Sequence, residues 1–173
     1  LGPKVGGTVR CDQYPATGHL PSVIRAFEAA KHADVRMVVK LINEYGLTRE
    51  MVPTVALNDP DVWAALLVKM PLTAIIRNLP KMTAVGLLAP LSDAVRTVTT
   101  RLTNADALRQ SRIHPMAVLN ALRVYSSGHG EKGSLAWTPV RAVVDALDSA
   151  FYQSFGHVTP TNKRLMLALD VSG

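Results

Sequence analysis

The 173-residue chain has one cysteine, Cys11, and no low-complexity tract. A lone cysteine cannot close an internal disulfide, so a framework of secreted type is excluded and a reducing, cytoplasmic setting is expected. The longest apolar stretches, Val62–Val68 and Leu165–Leu169, fall far short of the ~20 residues that cross a bilayer, so no membrane partner is expected. The five histidines (His19, His32, His114, His129 and His157) include no pair three or four residues apart and have no cysteine beside them. A zinc site has no ligands to draw on. No acid pair and no Ser/His/Asp grouping stands out, and with no catalytic set the expected protein is not an enzyme. The segment from Leu1 to Gly7 has no apolar core behind Lys4, and both ends read as cut from a longer protein.

Acidic residues are scarce in the middle. The chain carries +6 overall, and between Val62 and Gly130 eight bases (Lys69, Arg77, Lys81, Arg96, Arg101, Arg109, Arg112 and Arg123) face only Asp93 and Asp106. That stretch therefore holds the whole net charge. A solvated helical surface mixes signs, whereas a one-signed excess makes a field that attracts polyanions.

What is present is helix grammar. Residues 1–20 carry Gly and Pro without periodicity and read as a loop or truncated remnant. Ser22 opens a helix to about His32. Asp34 caps the next, with Val35, Val38, Val39 and Ile42 on one stripe, Arg36, Lys40 and Asn43 on the other side, and Gly46 as the stop. Asp59-Pro60 starts a helix through Lys69, and Pro71 starts another to Leu79, where Pro80 kinks or ends it. Ser92 and then Thr103 or Asn104 open two more, and Pro115 begins one to about Ser126. Thr138-Pro139 begins the last, with Val140, Val143, Val144, Leu147, Phe151 and Phe155 at helical spacing. Roughly eight helices with short links predict an all-α fold of stacked, HEAT-like pairs. Arg164–Leu169 differs: it is a short apolar run ending in Asp170-Val-Ser172 and predicts a buried strand.

Gly128-His-Gly-Glu-Lys-Gly133 has the letters of a dinucleotide fingerprint but follows a helix rather than a strand, so it reads as a loop with Gly at its turns, from which His129 and Lys132 can reach a ligand. Trp63 and Trp137 sit beside helix starts among apolar neighbours and read as core.

Three blocks, in order and with their spacing kept, resemble the TROVE domain of the Ro autoantigen family. They are Met70-Pro-Leu-Thr-Ala-Ile-Ile-Arg-Asn-Leu-Pro-Lys-Met82; Arg112-Ile-His-Pro115 through Ala121-Leu-Arg-Val-Tyr125 and Gly128-His-Gly130 to Trp137; and Ala146-Leu-Asp-Ser-Ala-Phe-Tyr152 through Lys163-Arg164 to Asp170-Val-Ser172. The resemblance implies part of a ring of HEAT-like repeats over residues 21–160 and the first strand of a von Willebrand factor A domain over 161–173. It implies noncoding RNA partners, both Y-type RNA and misfolded RNA with single-stranded ends, within a ribonucleoprotein. From charge and motif position the candidate contacts are Arg77, Lys81, Arg96, Arg101, Arg112, His114, Arg123, His129 and Lys132. Asp170 and Ser172 resemble the opening of the metal-ion-dependent adhesion motif, whose hard oxygens suit Mg2+ in a complete von Willebrand factor A domain, with no cation expected here alone. The competing reading is a protein-interaction solenoid using that metal site.

Overall fold

The computed structural model describes residues 21–130, 132–159, 161–164, 166 and 168. Among them, eight α-helices follow one another: α1 Ser22–Ala30, α2 Val35–Tyr45, α3 Pro60–Lys69, α4 Leu72–Ala84, α5 Asp93–Leu102, α6 Ala105–Ser111, α7 Pro115–Ser127 and α8 Arg141–Gln153. The all-α, HEAT-like architecture expected from the periodicity is present. α1 packs on α2, α2 on α3 and α3 on α4; α4 then meets α5, α6 and α7, while α8 lies against α5, α6 and α7.

Local chemistry sets the starts. Asp34 caps α2 by accepting from the Met37 amide at 2.8 Å, and Asp59 caps α3 by accepting from Asp61 at 2.8 Å, with Pro60 in the first turn where its missing N–H costs nothing. Ser92 and Asn104 cap α5 and α6 in the same way. Gly46 ends α2 at φ +69°, the left-handed geometry that glycine adopts without strain. Each helix then buries one stripe: Val38, Leu41 and Ile42 on α2, Val62, Trp63, Leu66 and Leu67 on α3, and Val143, Ala146, Leu147 and Ala150 on α8.

Three boundaries depart from the sequence expectation. α4 continues past Pro80 to Ala84, so the proline does not end it. Proline removes one amide from the ladder, but Leu79 and Met82 on either side of it are fully buried, and that packing outweighs the lost bond. α8 begins at Arg141 rather than at Pro139, because Val140 is buried in extended conformation with its amide held by the Tyr125 hydroxyl at 3.2 Å. Past Gln153 the chain tightens into a 3-10 turn over Ser154–His157, which breaks the helical spacing and leaves Phe155 half exposed.

The expected strand at the C-terminal end is corrected. No strand occurs among the described residues, and Arg164, Met166 and Ala168 have no regular structure. A strand needs a neighbouring strand to take its backbone hydrogen bonds, and the described residues supply none.

The joint between α4, α7 and α8 fixes the part of the molecule that matters below. The Thr83 hydroxyl donates to the Leu79 carbonyl at 2.9 Å, so it accepts from the Tyr125 hydroxyl, also at 2.9 Å. The Tyr125 oxygen in turn takes the Val140 amide, and Trp137 donates from Nε1 to the Tyr125 carbonyl at 3.0 Å. Between α7 and Trp137 the chain makes a loop closed by a bridge from His129 to Ala136 and by the Gly130 amide donating to Leu135 at 3.1 Å. Gly128 opens it at φ +74°, and a Cβ there would lie 2.9 Å from the Trp137 carbonyl oxygen. Gly128→Ala is accordingly expected to cost about 1–2 kcal/mol from the left-handed backbone alone, more with the clash, read as a lower urea midpoint.

Candidate nucleic-acid interface

The α4–α7 joint opens on one side into a cleft of about 490 Å³. α4 supplies Thr73, Ile76 and Arg77, one turn apart on a single face; the end of α6 and the turn after it supply Ser111, Arg112 and Ile113; α7 supplies His114 at its cap, then Ala117, Asn120, Ala121 and Val124. Ile76, Ile113, the two alanines and Val124 form an apolar floor. The rim carries two guanidiniums and an imidazole, and among the described residues no carboxylate lines the cleft.

Arg112 reaches this place through an unusual backbone. It ends α6 in left-handed conformation at φ +49°, where glycine or asparagine is the usual occupant. The turn sends Ile113 into the core while Arg112 stays exposed. His114 caps α7: its Nδ1 accepts from the Met116 amide at 3.2 Å. With Nδ1 engaged by that amide, Nε2 is the nitrogen left to donate outward. The first amides of α7 are already used, Met116 by the imidazole and Ala117 by the His114 carbonyl at 2.9 Å. Anion binding at this end therefore falls to side chains rather than to the helix terminus.

The ion pairs among the described residues join Lys31 to Glu28, Arg96 to Asp93 and Arg141 to Asp145. Arg77, Arg112 and Arg123 have no carboxylate partner among these residues, and all three are exposed. A guanidinium without a counter-ion is a fork of donors matched to phosphate.

The chain has relatives in sequence and in structure. Residues 12–123 match the TROVE domain family. The chain belongs to the TROVE-domain family. It is 49% identical over 138 residues to the Caenorhabditis elegans protein "RNA-binding protein RO60", covering 79% of this chain and 21% of that one. It is 43% identical over 157 residues to the Deinococcus radiodurans protein of the same name, covering 90% and 28%. The crystal structure of the Deinococcus radiodurans RO (RSR) protein superposes with a TM-score of 0.76 at 40% identity, over 82% of this chain and 29% of that one. The chain thus spans less than a third of the length of these relatives.

Within this TROVE domain the other candidate residues go to different places. Arg101 donates to the carbonyls of Leu67 at 3.1 Å and Met70 at 2.5 Å, closing the C-terminal end of α3 from α5. Lys81 is half buried and donates to Asn58 Oδ1 at 2.7 Å. Arg96 is engaged with Asp93 on the exposed face of α5. Arg123 lies on α7, one turn beyond Asn120. His129 and Lys132 are exposed on the bridged loop, with the His129 ring 3.2 Å from the Gly130 carbonyl. The structure thus brings Arg77, Arg112 and His114 together and leaves the remaining six outside that cleft. Both tryptophans are core, as their neighbours indicated: Trp63 is fully buried with Nε1 donating to Leu57 at 2.8 Å, and Trp137 is buried against Tyr125.

Asp170 and Ser172 lie outside the described residues. Among the described residues no cluster of three His, Cys, Asp or Glu side chains could hold a metal, and no helix is long and apolar enough to cross a membrane. Thr73 and Asn120 line the cleft and were not legible in the sequence. Thr73 stands four residues before Arg77, which is a signal of a shared helical face, but nothing local marks Asn120.

Proposed function

We propose that this TROVE domain binds noncoding RNA without catalysis, with Arg77, Arg112 and His114 in the α4–α7 cleft as the principal contacts. The single observation that carries this reading is the convergence of three cationic or donor side chains, from segments some 35 residues apart, on one concavity that no carboxylate lines among the described residues. Arg77 and Arg112 take phosphate oxygens, and His114 donates from Nε2. Arg123 extends the basic track along α7, and Lys132 and His129 extend it onto the loop. Contacts of this kind are salt-sensitive and blind to sequence, which suits RNAs of varied sequence such as Y-type RNA and misfolded RNA with single-stranded ends. The relatives' names as RNA-binding proteins support the same class of ligand. The function fits a cytoplasmic ribonucleoprotein, with Asp170 and Ser172 as the first two oxygen ligands for Mg2+ in an adjoining von Willebrand factor A domain. The test is a gel-shift titration of the full-length protein against a structured RNA and the same RNA with a single-stranded tail. Binding that weakens steeply with salt is expected, and absence of binding at low salt would overturn the proposal.

Arg112 separates binding from stability. Glycine tolerates φ +49° without the Cβ penalty of about 1–2 kcal/mol, so Arg112→Gly is expected to leave the melting temperature unchanged or raise it. The same substitution removes a phosphate contact and should weaken RNA binding about tenfold. Both are read on one preparation, by thermal unfolding and by titration.

A further inference from the structure

The charged rim accounts for phosphate but not for the floor of the cleft. Five aliphatic side chains, Ile76, Ile113, Ala117, Ala121 and Val124, present an apolar surface inside a ring of polar groups. Apolar surface that only skirts a phosphate backbone gains nothing from the contact. It gains from a flat, weakly solvated body laid against it. The cleft volume of about 490 Å³ falls within the range of roughly 300–1,000 Å³ typical of pockets for small organic ligands.

We infer that the α4–α7 cleft takes one unstacked nucleotide of an RNA single strand, its phosphate at Arg77 and Arg112 and its base on the aliphatic floor, with Asn120 placed to bond the base edge. The inference rests on the RNA-binding reading above and adds which part of the RNA enters. A base in a duplex is stacked on both faces and cannot leave the helix without an unpairing cost, so a concave pocket selects bases already splayed out. The floor holds no aromatic ring, so the base is held by dispersion and water exclusion rather than by π stacking. Asn120 is exposed on α7, one turn from Ala117 and Val124, and its amide offers both donors and an acceptor. Thr73, exposed on α4, adds a hydroxyl at the opposite wall.

Filling the floor tests this without touching the charges. Ala117 is exposed on the first turn of α7, so Ala117→Leu places four-carbon bulk in the cleft at little cost to the core. The probes are a short unstructured oligoribonucleotide and a blunt RNA duplex of equal phosphate number, titrated with the full-length protein over a salt series. Ala117→Leu should lower affinity for the single strand about tenfold, the order expected for one base losing its contact surface, with no change in the salt slope. Asn120→Ala should lower it less and flatten differences between oligonucleotides of different base. Unchanged single-strand affinity in Ala117→Leu, with Arg77→Ala still weakening it, would overturn the nucleotide pocket and leave the phosphate contacts standing. Indifference to both substitutions would overturn the placement of RNA in this cleft, base and phosphate alike, whereas absence of binding by the wild type would overturn the RNA-binding reading itself.

Discussion

Tyr125→Ala is expected to lose about 3–5 kcal/mol of stability, the range for removing a large buried ring. The ring is almost fully buried and lies against Trp137, and the hydroxyl both donates to Thr83 and accepts from the Val140 amide. Removing it opens a cavity and strands a buried amide at the start of α8. Tyr125→Phe keeps the ring and isolates the second effect, expected at about 1–3 kcal/mol for a buried donor left without an acceptor. In a domain of this size the alanine variant should melt on the order of 10 °C lower. Because Tyr125 ties α7 to both α4 and α8, the phenylalanine variant also tests how far that joint sets the cleft. If it retains wild-type RNA affinity below its melting temperature, the cleft is held by the apolar packing of α4 on α7 alone.

The second large effect falls on binding. Arg77→Ala with Arg112→Ala should reduce RNA affinity by at least about 100-fold, since each removes a charge-assisted bond of about 1.5–3 kcal/mol to a phosphate. The loss should be equal for unrelated RNAs, because a phosphate contact carries no base information. Stability should hardly move, since both side chains are exposed and neither has a carboxylate partner among the described residues. Arg101→Ala offers the contrast. That guanidinium sits on the Leu67 and Met70 carbonyls, so its loss should appear in the melting curve before it appears in the binding isotherm.

The comparison of Arg77 with Arg101 shows where the sequence was legible and where it was not. Caps and stops are local chemistry, and Asp34, Gly46, Asp59, Ser92 and Asn104 act within four residues of themselves, so they could be read directly. Pro80 could not, because whether a helix survives a proline depends on what packs around it, and the burial of Leu79 and Met82 is decided by other helices. The charge excess located the basic region but could not sort its members. Arg101 and Lys81 spend their donors on carbonyl or amide oxygens 20–35 residues away, and only tertiary structure reveals that. The cleft itself joins Thr73–Arg77 to Ser111–Val124, a pairing set by α4 packing on α7 and invisible to any periodicity. Of the Arg112-Ile-His-Pro115 block that resembles the family, Arg112, Ile113 and His114 line this cleft. The short apolar run Arg164–Leu169 predicts a buried strand, and no strand occurs among the described residues.

The account stands most directly on the salt dependence of RNA binding. Measured between low and moderate salt on the full-length protein, log affinity against log salt should fall less steeply in the Arg77→Ala, Arg112→Ala double variant than in the wild type. The slopes should differ by about 1.4–1.8, the counterion share of two phosphates. Parallel lines with equal affinity would contradict the placement of RNA phosphates in the α4–α7 cleft.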